Sequence, residues 1–390
     1  MTKNKWPMVK LGDVCDINPR IRKKPSSKEL VSFVPMDHVS PEGFLLKSES
    51  RVFEEVSKGY TLFEKNSVLV AKITPCFENK KTAVAKIESN VGAGSTEFHV
   101  FRPKPGLDVE FLHFFLRRNP IFREGSKCMT GSSGHRRVPA WFFENLSIPL
   151  PPLGEQKRIA RILSFSASLI EKSKQAVALL NPNLVFSESL VANAESTVPL
   201  STYVTGITSG KSLVADNEGE SQNKVLKISA VTTGTFLASE VKTLPKDYDP
   251  DDSHRVVAGD ILVSRANTTE LVGASVLVDV VGPNIFLPDK LWKLTLAKDV
   301  NPVFLWALLQ SKTIRSRISR CSTGSSGSMK NISKKNFLSV QVPDISIGLQ
   351  NKIGNSIQII REQKKSELRR LSYLQGLHSS LMSVAFEGGL

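Results

Sequence analysis

The chain has 390 residues, enough for two or three domains that each bury a core of their own. Hydrophobic residues make up 40% and charged residues 23%, which excludes wholesale disorder, and no run approaches the roughly 18 uncharged apolar residues of a membrane span. Lys and Arg outnumber Asp and Glu by 52 to 37, and the resulting net charge of +15 favours a polyanionic partner such as nucleic acid.

The first predicted elements form a mixed α+β globule over residues 1–152. Short β-rich runs alternate with turns at 67–71, 83–87 and 97–101, and an apolar helix is predicted at 109–118. A last β-run ends in proline at 149, because proline cannot donate to a ladder.

A helical stretch is predicted next, in residues 153–197. Apolar side chains recur at spacings of three and four from Ile159 to Leu180, with the polar Ser166 and Ser173 on the same stripe. We expect Pro182 to end or kink this helix, and residues 184–194 to add a shorter helical piece.

The same order of elements then returns in residues 198–345 and 346–390. Strands are predicted at 260–264, 275–280 and 291–296, and an apolar helix at 302–311. From Ile353 to Leu381 apolar residues again recur at spacings of three and four, which is typical of a helix packed against another helix. Some 30 residues in this helix would make a rod about 45 Å long.

The two halves are copies of each other. The motif Thr-Gly-Ser-Ser-Gly at 130–134 recurs at 323–327, an offset of 193, and residues 68–72 and 111–116 match 261–265 and 304–309 at that same offset. Two further blocks, at 146–148 and 154–159, recur at offsets of 192 and 194. Ordered blocks at a nearly constant offset indicate a tandem duplication.

Each Thr-Gly-Ser-Ser-Gly loop lies in basic surroundings. Residues 117–137 hold six Arg or Lys and one Glu, and residues 311–335 hold seven basic residues and no acidic one. Backbone amides, short hydroxyls and flanking cations suit the phosphates of DNA, whereas the alternative is a surface turn with solvated charge. The loop residues predicted to bind DNA are Lys127, Ser132 and Ser133 in the first copy and Arg320, Ser325 and Ser326 in the second.

Reading of bases requires side chains that form paired hydrogen bonds in the major groove. The candidates are Lys72, Asn79, Lys80, Lys81, His135, Arg136 and Arg137 in the first copy, and Arg265, Asn267, Lys330 and Asn331 in the second. The copies differ here, since residues 73–78 bear no likeness to residues 266–271. We therefore predict that the two halves read different base sequences.

No catalytic constellation is apparent in the sequence. Residues 206–212 resemble a phosphate-binding P-loop but have three residues between the glycines where the motif needs four. HExxH, GxSxG, GxGxxG and metal-ligand spacings are absent. We predict a binding protein without catalytic, cofactor or metal residues. The alternatives are a DNA-processing nuclease or methyltransferase with an unrecognised active site, and a scaffold whose helices bind other proteins.

Several segments resemble the specificity subunit of type I restriction-modification systems. They are Val-Lys-Leu-Gly-Asp-Val at 9–14, Ile-Pro-Leu-Pro-Pro-Leu-Gly-Glu-Gln-Lys-Arg-Ile at 148–159, both Thr-Gly-Ser-Ser-Gly blocks, and the ending Leu-Met-Ser-Val-Ala-Phe-Glu-Gly-Gly-Leu at 381–390. The second copy departs from this pattern at 343–350, where the Pro-Leu-Pro-Pro run and the Glu-Gln pair are missing.

The resemblance implies a non-catalytic subunit with two target-recognition domains, 1–152 and 198–345, that read the halves of a split, asymmetric DNA site. The helical regions 153–197 and 346–390 would form an antiparallel coiled-coil spacer with pseudo-twofold symmetry. The implied partners are two modification (methyltransferase) subunits, which bind S-adenosylmethionine and methylate adenine, and ATP-dependent restriction subunits that use Mg²⁺. With no apolar leader at residues 1–7, we expect the protein in the cytoplasm.

Overall fold

A computed structural model of the chain describes residues 6–132, 134–180, 187–211, 221–324 and 330–390. The chain folds as two units. One unit consists of Met1–Lys174 together with Arg370–Leu390, and the other of Gln175–Arg369. Among the described residues, no helix combines the length and the apolar character that spanning a bilayer requires.

Three sheets form the strand framework of the first unit. β1 (Met8–Lys10) pairs antiparallel with β10 (Ser147–Pro149), so the two ends of the first copy meet. The other two sheets have four strands each, in the orders β2-β9-β6-β7 and β4-β3-β8-β5, with β3 and β8 parallel. Their strands are β2 (Cys15–Ile17), β3 (Leu30–Val34), β4 (Glu49–Val52), β5 (Thr61–Glu64), β6 (Val68–Ala71), β7 (Thr82–Val84), β8 (Val91–Gly94) and β9 (Phe98–Pro103).

The helices of the first unit pack an aromatic core against the β2-β9-β6-β7 sheet. Phe111, Phe115, Phe101 and Phe143 are all buried, and Phe386 from the end of the chain packs on Phe111 and Phe115. The helices are α1 (Leu11–Val14), α2 (Phe53–Val56), α3 (Val109–Leu116), α4 (Asn119–Lys127), α5 (Ala140–Glu144) and α6 (Leu153–Leu179).

The second unit repeats this framework. β11 (Thr197–Pro199) pairs with β21 (Gln341–Pro343), and the larger sheets have the orders β12-β19-β15-β17 and β14-β13-β18, with β13 and β18 parallel. Two short strands, β16 and β20, pair separately. The strands are β12 (Val204–Ser209), β13 (Lys224–Leu226), β14 (Val241–Thr243), β15 (Ile261–Ser264), β16 (Ala266–Asn267), β17 (Ser275–Leu277), β18 (Ile285–Phe286), β19 (Leu291–Leu296) and β20 (Lys330–Asn331).

The helices of the second unit bury Trp292, Phe304 and Phe337 in the corresponding core. They are α7 (Ser187–Ala192), α8 (Pro302–Gln310), α9 (Lys312–Arg320), α10 (Lys334–Leu338) and the first part of α11 (Ile347–Ala385), whose residues from Arg370 onward belong to the first unit. Single-turn 3-10 helices complete both units, at Met36–His38, Leu200–Thr202, Ile228–Ala230 and Asp252–His254.

The duplication is visible in the bounds of the elements. Three strands of the first unit (β6, β7, β9) and the helix α4 recur as β15, β17, β19 and α9 with both ends shifted by 193 residues. The predicted strand at 291–296 is confirmed over its whole length, and the predicted helices at 109–118 and 302–311 end one or two residues early. The fold is therefore α+β and consists of two copies of one design.

The long helices run antiparallel where they meet in the first unit. Ile159, Ala160 and Leu163 of α6 share a core with Leu381 and Ala385 near the end of α11. One turn further along α6, Ser166 Oγ lies 2.8 Å from His378 Nδ1, so contacts move back along α11 as they move forward along α6. The helix α11 has 39 residues, longer than the roughly 30 predicted, and α6 has 27. Pro182 lies outside the described residues.

A buried glutamine fastens the start of each long helix to its globule. Gln156 accepts from the Asp108 N–H at 2.8 Å and donates to the carbonyls of Gly106 and Pro151 at 2.9 and 2.8 Å. In the second copy Gln350 accepts from the Asn301 N–H at 3.2 Å and donates to the Ile345 carbonyl at 2.7 Å. The departure of residues 343–350 from the family pattern thus leaves this glutamine contact in place.

Candidate nucleic-acid interface

Two separate segments of the first copy meet beside the Thr-Gly-Ser-Ser-Gly loop. Backbone hydrogen bonds of 2.8 and 3.1 Å join Arg137 and Thr130 in both directions, so the loop is the tip of a hairpin. The hairpin pairs with the segment that leaves β6, since Val138 N–H donates to Lys72 O at 2.9 Å and Thr74 N–H to Arg136 O at 3.0 Å. We call residues 72–81 together with 127–132 and 134–137 the first basic surface.

The second copy repeats this arrangement on the segment that leaves β15. Thr323 and Asn331 exchange backbone hydrogen bonds of 2.7 and 2.8 Å, and Ile332 N–H donates to Arg265 O at 3.0 Å. Asn267 and Ala266 of β16 pair with Lys330 and Asn331 of β20. Residues 265–271 together with 320–324 and 330–331 are the second basic surface.

The structure therefore brings together, within each copy, two groups of predicted residues that are about 60 positions apart in sequence. Ser133, Ser325 and Ser326 lie outside the described residues. The exposed members are Asn79, Lys127, Ser132, His135, Arg136, Arg137 and Arg320, and the half-buried ones are Lys72, Lys80, Lys81, Arg265, Asn267, Lys330 and Asn331.

Two of the predicted base readers hold the first basic surface in shape. Lys81 Nζ donates to the Met36 carbonyl at 2.9 Å. Arg137 makes charge-assisted hydrogen bonds of 2.7 and 2.9 Å to the Glu97 carboxylate, and these lower the pKa of Glu97. Both side chains thus have an intramolecular role that their residue type alone does not indicate.

Four other predicted cations make polar contacts within their own unit. Lys80 Nζ donates to Asn119 Oδ1 at 2.6 Å, and partial burial followed by the nearby Arg117 lowers its pKa. Arg136 lies 3.6 Å from the Glu78 carboxylate, and Lys127 lies 2.9 Å from that of Glu124. Lys330 Nζ donates to the Gly324 carbonyl at 2.6 Å, which ties it to the second loop. The ion pairs of Arg136 and Lys127 lie at the surface and contribute at most about 1 kcal/mol each, so these two cations can exchange partners for phosphate.

Sequence reasoning missed the side chains that position these surfaces from behind. Arg117 donates to Lys80 O at 3.1 Å, to Thr82 Oγ1 at 2.9 Å and to Pro41 O at 2.9 Å, and burial lowers its pKa to about 10. In the second copy Arg315 donates to Glu270 O at 2.9 Å, and burial lowers its pKa to about 10 as well. Both arginines belong to the basic runs noted in the sequence, but only the fold separates inward-facing from outward-facing members.

The chemistry of both surfaces suits anion binding. Cations, loop amides and short hydroxyls line them, a combination that holds phosphate oxygens. His99 lies behind the first surface, where its Nε2 is 2.8 Å from the Val138 carbonyl, and burial lowers its pKa, so it packs in the core. Among residues 6–132, 134–180, 187–211, 221–324 and 330–390, no group of three or more His, Cys, Asp or Glu side chains is placed to hold a metal ion.

Comparison with known proteins gives consistent matches. Residues 3–179 match the family model of the type I restriction modification DNA specificity domain. The chain is 27% identical over 478 aligned residues to the EcoEI type I restriction enzyme specificity subunit of Escherichia coli, an alignment that covers 95% of this chain and 80% of the relative. It is 37% identical over 173 residues to the EcoAI specificity subunit of Escherichia coli, covering 44% of this chain and 29% of that protein.

A solved structure shares the fold. The crystal structure of a type I restriction-modification system S subunit from M. genitalium aligns over 99% of this chain and 97% of that chain, with a TM-score of 0.59 and 16% sequence identity.

Proposed function

This chain belongs to the specificity subunits of type I restriction-modification systems, and on that premise we propose that it binds duplex DNA in a sequence-specific manner and reads a bipartite, asymmetric site. The main support is the common architecture of the two basic surfaces. In each copy, backbone hydrogen bonds join a hairpin to the segment that leaves a central strand, β6 or β15, and both the hairpin and the segment carry cations. The other side chains on these surfaces differ between the copies.

The backbone that the two copies share and the side chains in which they differ suit two different kinds of DNA contact. Phosphate contacts from the cations, hydroxyls and loop amides would fix the position of each recognition domain on the duplex. Base-edge contacts from residues such as Asn79, His135 and Asn267 would select the sequence, and because these residues differ between copies, the two half-sites would differ.

The chemistry on DNA would be performed by partners. We infer that the chain is a non-catalytic subunit, since its relatives are named specificity subunits and its sequence lacks methyltransferase and hydrolase signatures. The partners would be modification subunits, two in number, that carry S-adenosylmethionine and flip out the target adenine, and restriction subunits that use ATP and Mg²⁺. The cytoplasm, where DNA and these cofactors are available, is the expected compartment. The names of the relatives give no support to the alternative of a DNA-processing enzyme.

The proposal is tested by mapping methylated adenines across the genome of cells that contain this chain and its methyltransferase. We expect one motif with two specified parts, separated by a fixed number of unspecified base pairs. In the same cells without this chain, methylation at that motif should disappear. A single continuous motif, or methylation that persists without the chain, would contradict the proposal.

A further inference from the structure

A cavity of about 360 Å³ lies in the first unit between the start of α4 and the last turns of α11. Its lining includes Lys80, Arg117, Arg118, Asn119, His378 and Ser379. We call it the cationic pocket. Lys80 also belongs to the first basic surface, so the pocket adjoins that surface.

The pocket brings together several cationic side chains, and none of its described lining residues has a carboxylate. Arg117 donates hydrogen bonds to two carbonyl oxygens and a hydroxyl oxygen, and burial followed by the charge of Arg117 lowers the pKa of both Lys80 and His378. Arg118 faces the rings of Phe115 and Phe386 at 5.7 and 5.3 Å, and burial lowers its pKa. Bringing cations together at this cost is typical of a site that an anion completes.

The two carboxylates that interact with the pocket arginines, those of Glu42 and Glu387, do not fill this role. Glu42 interacts with Arg117 electrostatically but is ion-paired with Lys174 at 3.0 Å. Glu387 interacts with Arg118 and accepts from Ser383 Oγ at 3.3 Å. Neither residue lines the cavity.

The second copy shows what occupies the equivalent position there. The helix α9 corresponds to α4. The Glu188 carboxylate accepts hydrogen bonds from the first N–H of α9, that of Lys312, and from Thr313 Oγ1 at 2.9 Å.

The packing of apolar neighbours aligns the two segments. Leu190 and Val191 pack on the second core, and Leu381 and Met382 pack on the first core at an offset of 191 residues. That offset places Ser379 where the second copy has Glu188. At this position the first copy therefore has Ser379 and a cavity, whereas the second copy has the carboxylate of Glu188.

We propose that the cationic pocket binds a phosphate group, either free or in a nucleic-acid backbone. A phosphate there would take the place that the Glu188 carboxylate has in the second copy, between the start of the helix and the guanidinium of Arg118. Phosphate binding in this pocket does not depend on sequence-specific DNA binding, so the two proposals can be tested separately.

The test uses the Ser379→Glu variant of the full chain, which gives the first copy the anion of the second. Inorganic phosphate is titrated during thermal unfolding, with chloride at equal ionic strength as the reference. We expect phosphate to raise the melting temperature of the unmodified chain by roughly 2–4 °C at saturating concentration, because ligand that binds only the folded state stabilises it. Ser379→Glu should lose this increment, whereas the control Ser380→Glu, with the same charge change at the adjacent exposed position, should retain it.

Two results would overturn the proposal: no phosphate-specific increment in the unmodified chain, or equal increments in the two variants. A second arm identifies the source of the phosphate by measuring binding to a duplex of unrelated sequence across salt concentrations. If Ser379→Glu weakens this binding and reduces the salt slope by about one relative to Ser380→Glu, the phosphate belongs to the DNA backbone. If both variants bind DNA equally and only the phosphate increment is lost, the ligand is free phosphate.

Discussion

Asn79 is exposed on the first basic surface, and its side chain makes no hydrogen bond to the described part of the chain. An amide in this position can make two hydrogen bonds to adenine in the major groove, which discriminates by about 1–3 kcal/mol. We therefore expect Asn79→Ala to weaken binding to the specific site by roughly 10- to 100-fold in a competition assay and to leave binding to unrelated DNA unchanged. Asn90→Ala, at an exposed asparagine outside the surface, is the matched control, and equal losses for the two variants would refute this role.

We expect His113 to make the stability of the first unit depend on pH. It is buried in α3, and burial, followed by the charges of Arg117 and Lys86, lowers its pKa from 6.5 to about 3. Below pH 6.5 the unfolded chain binds a proton that the folded chain does not take up until about pH 3, so stability is lost as pH falls through this window.

Replacing this histidine should remove that dependence. Between pH 7 and pH 5, His113 is expected to lower the free energy of unfolding by about 2 kcal/mol, and His113→Phe should reduce the loss by that amount in urea titrations. The exposed His135→Phe is the control, with the original pH dependence expected. An unchanged difference between the two pH values in His113→Phe would show that this residue is not responsible.

At the residue scale, the sequence indicates which side chains carry charge but not where they point. Lys81 and Arg137 were predicted to read bases, yet a backbone carbonyl and the Glu97 carboxylate hold them. Arg117 lies in the same basic run and turns inward. These outcomes depend on contacts between residues 35 to 45 positions apart, which local patterns do not encode.

At the scale of elements, Gln156 connects α6 to the loop before α3. It is fully buried, and its amide satisfies one backbone N–H and two carbonyls. Gln156→Leu leaves these groups without partners, so we expect the free energy of unfolding of the first unit to fall by about 2–3 kcal/mol in chemical denaturation. Gln363→Leu, at an exposed position of α11, should have little effect, and a comparable loss there would contradict the argument.

The long helices lead to a second prediction at this scale. At 1.5 Å per residue, α11 is a rod of about 58 Å, and a single turn is about 5.4 Å, or one to two base-pair steps. If α6 and α11 set the distance between the half-sites, deleting one turn from both should shorten the unread gap in the methylated motif by one to two base pairs. A mapped motif with its original gap would show that the helices do not act as a ruler.

Elements with strong local patterns are the ones that the sequence predicts well. The strand at 291–296 and the two apolar helices were found, because alternation and apolar spacing are local properties. The parallel pairing of β3 with β8 and the fastening of the hairpin to the β6 exit were not predicted, since both join residues about 60 positions apart. The helix α11 is longer than predicted because it begins at Ile347, before the apolar stripe, and continues past Leu381 to Ala385.

At the scale of the whole molecule, duplication explains both the likeness and the difference between the copies. Each unit has its own core, its own closing strand pair and its own basic surface. Independent cores allow the exposed loops of one copy to change without disturbing the fold of the other. This independence is the central claim of the proposed function, because a bipartite site requires two readers that select bases separately.

The measurement that tests this claim most directly is an exchange of residues 1–152 for the first recognition domain of a relative, followed by mapping of methylated adenines. We expect a hybrid motif in which one part is new, the other part is unchanged and the gap between them is kept. A motif altered in both parts would contradict it, since that result would mean that the two copies read DNA as one surface.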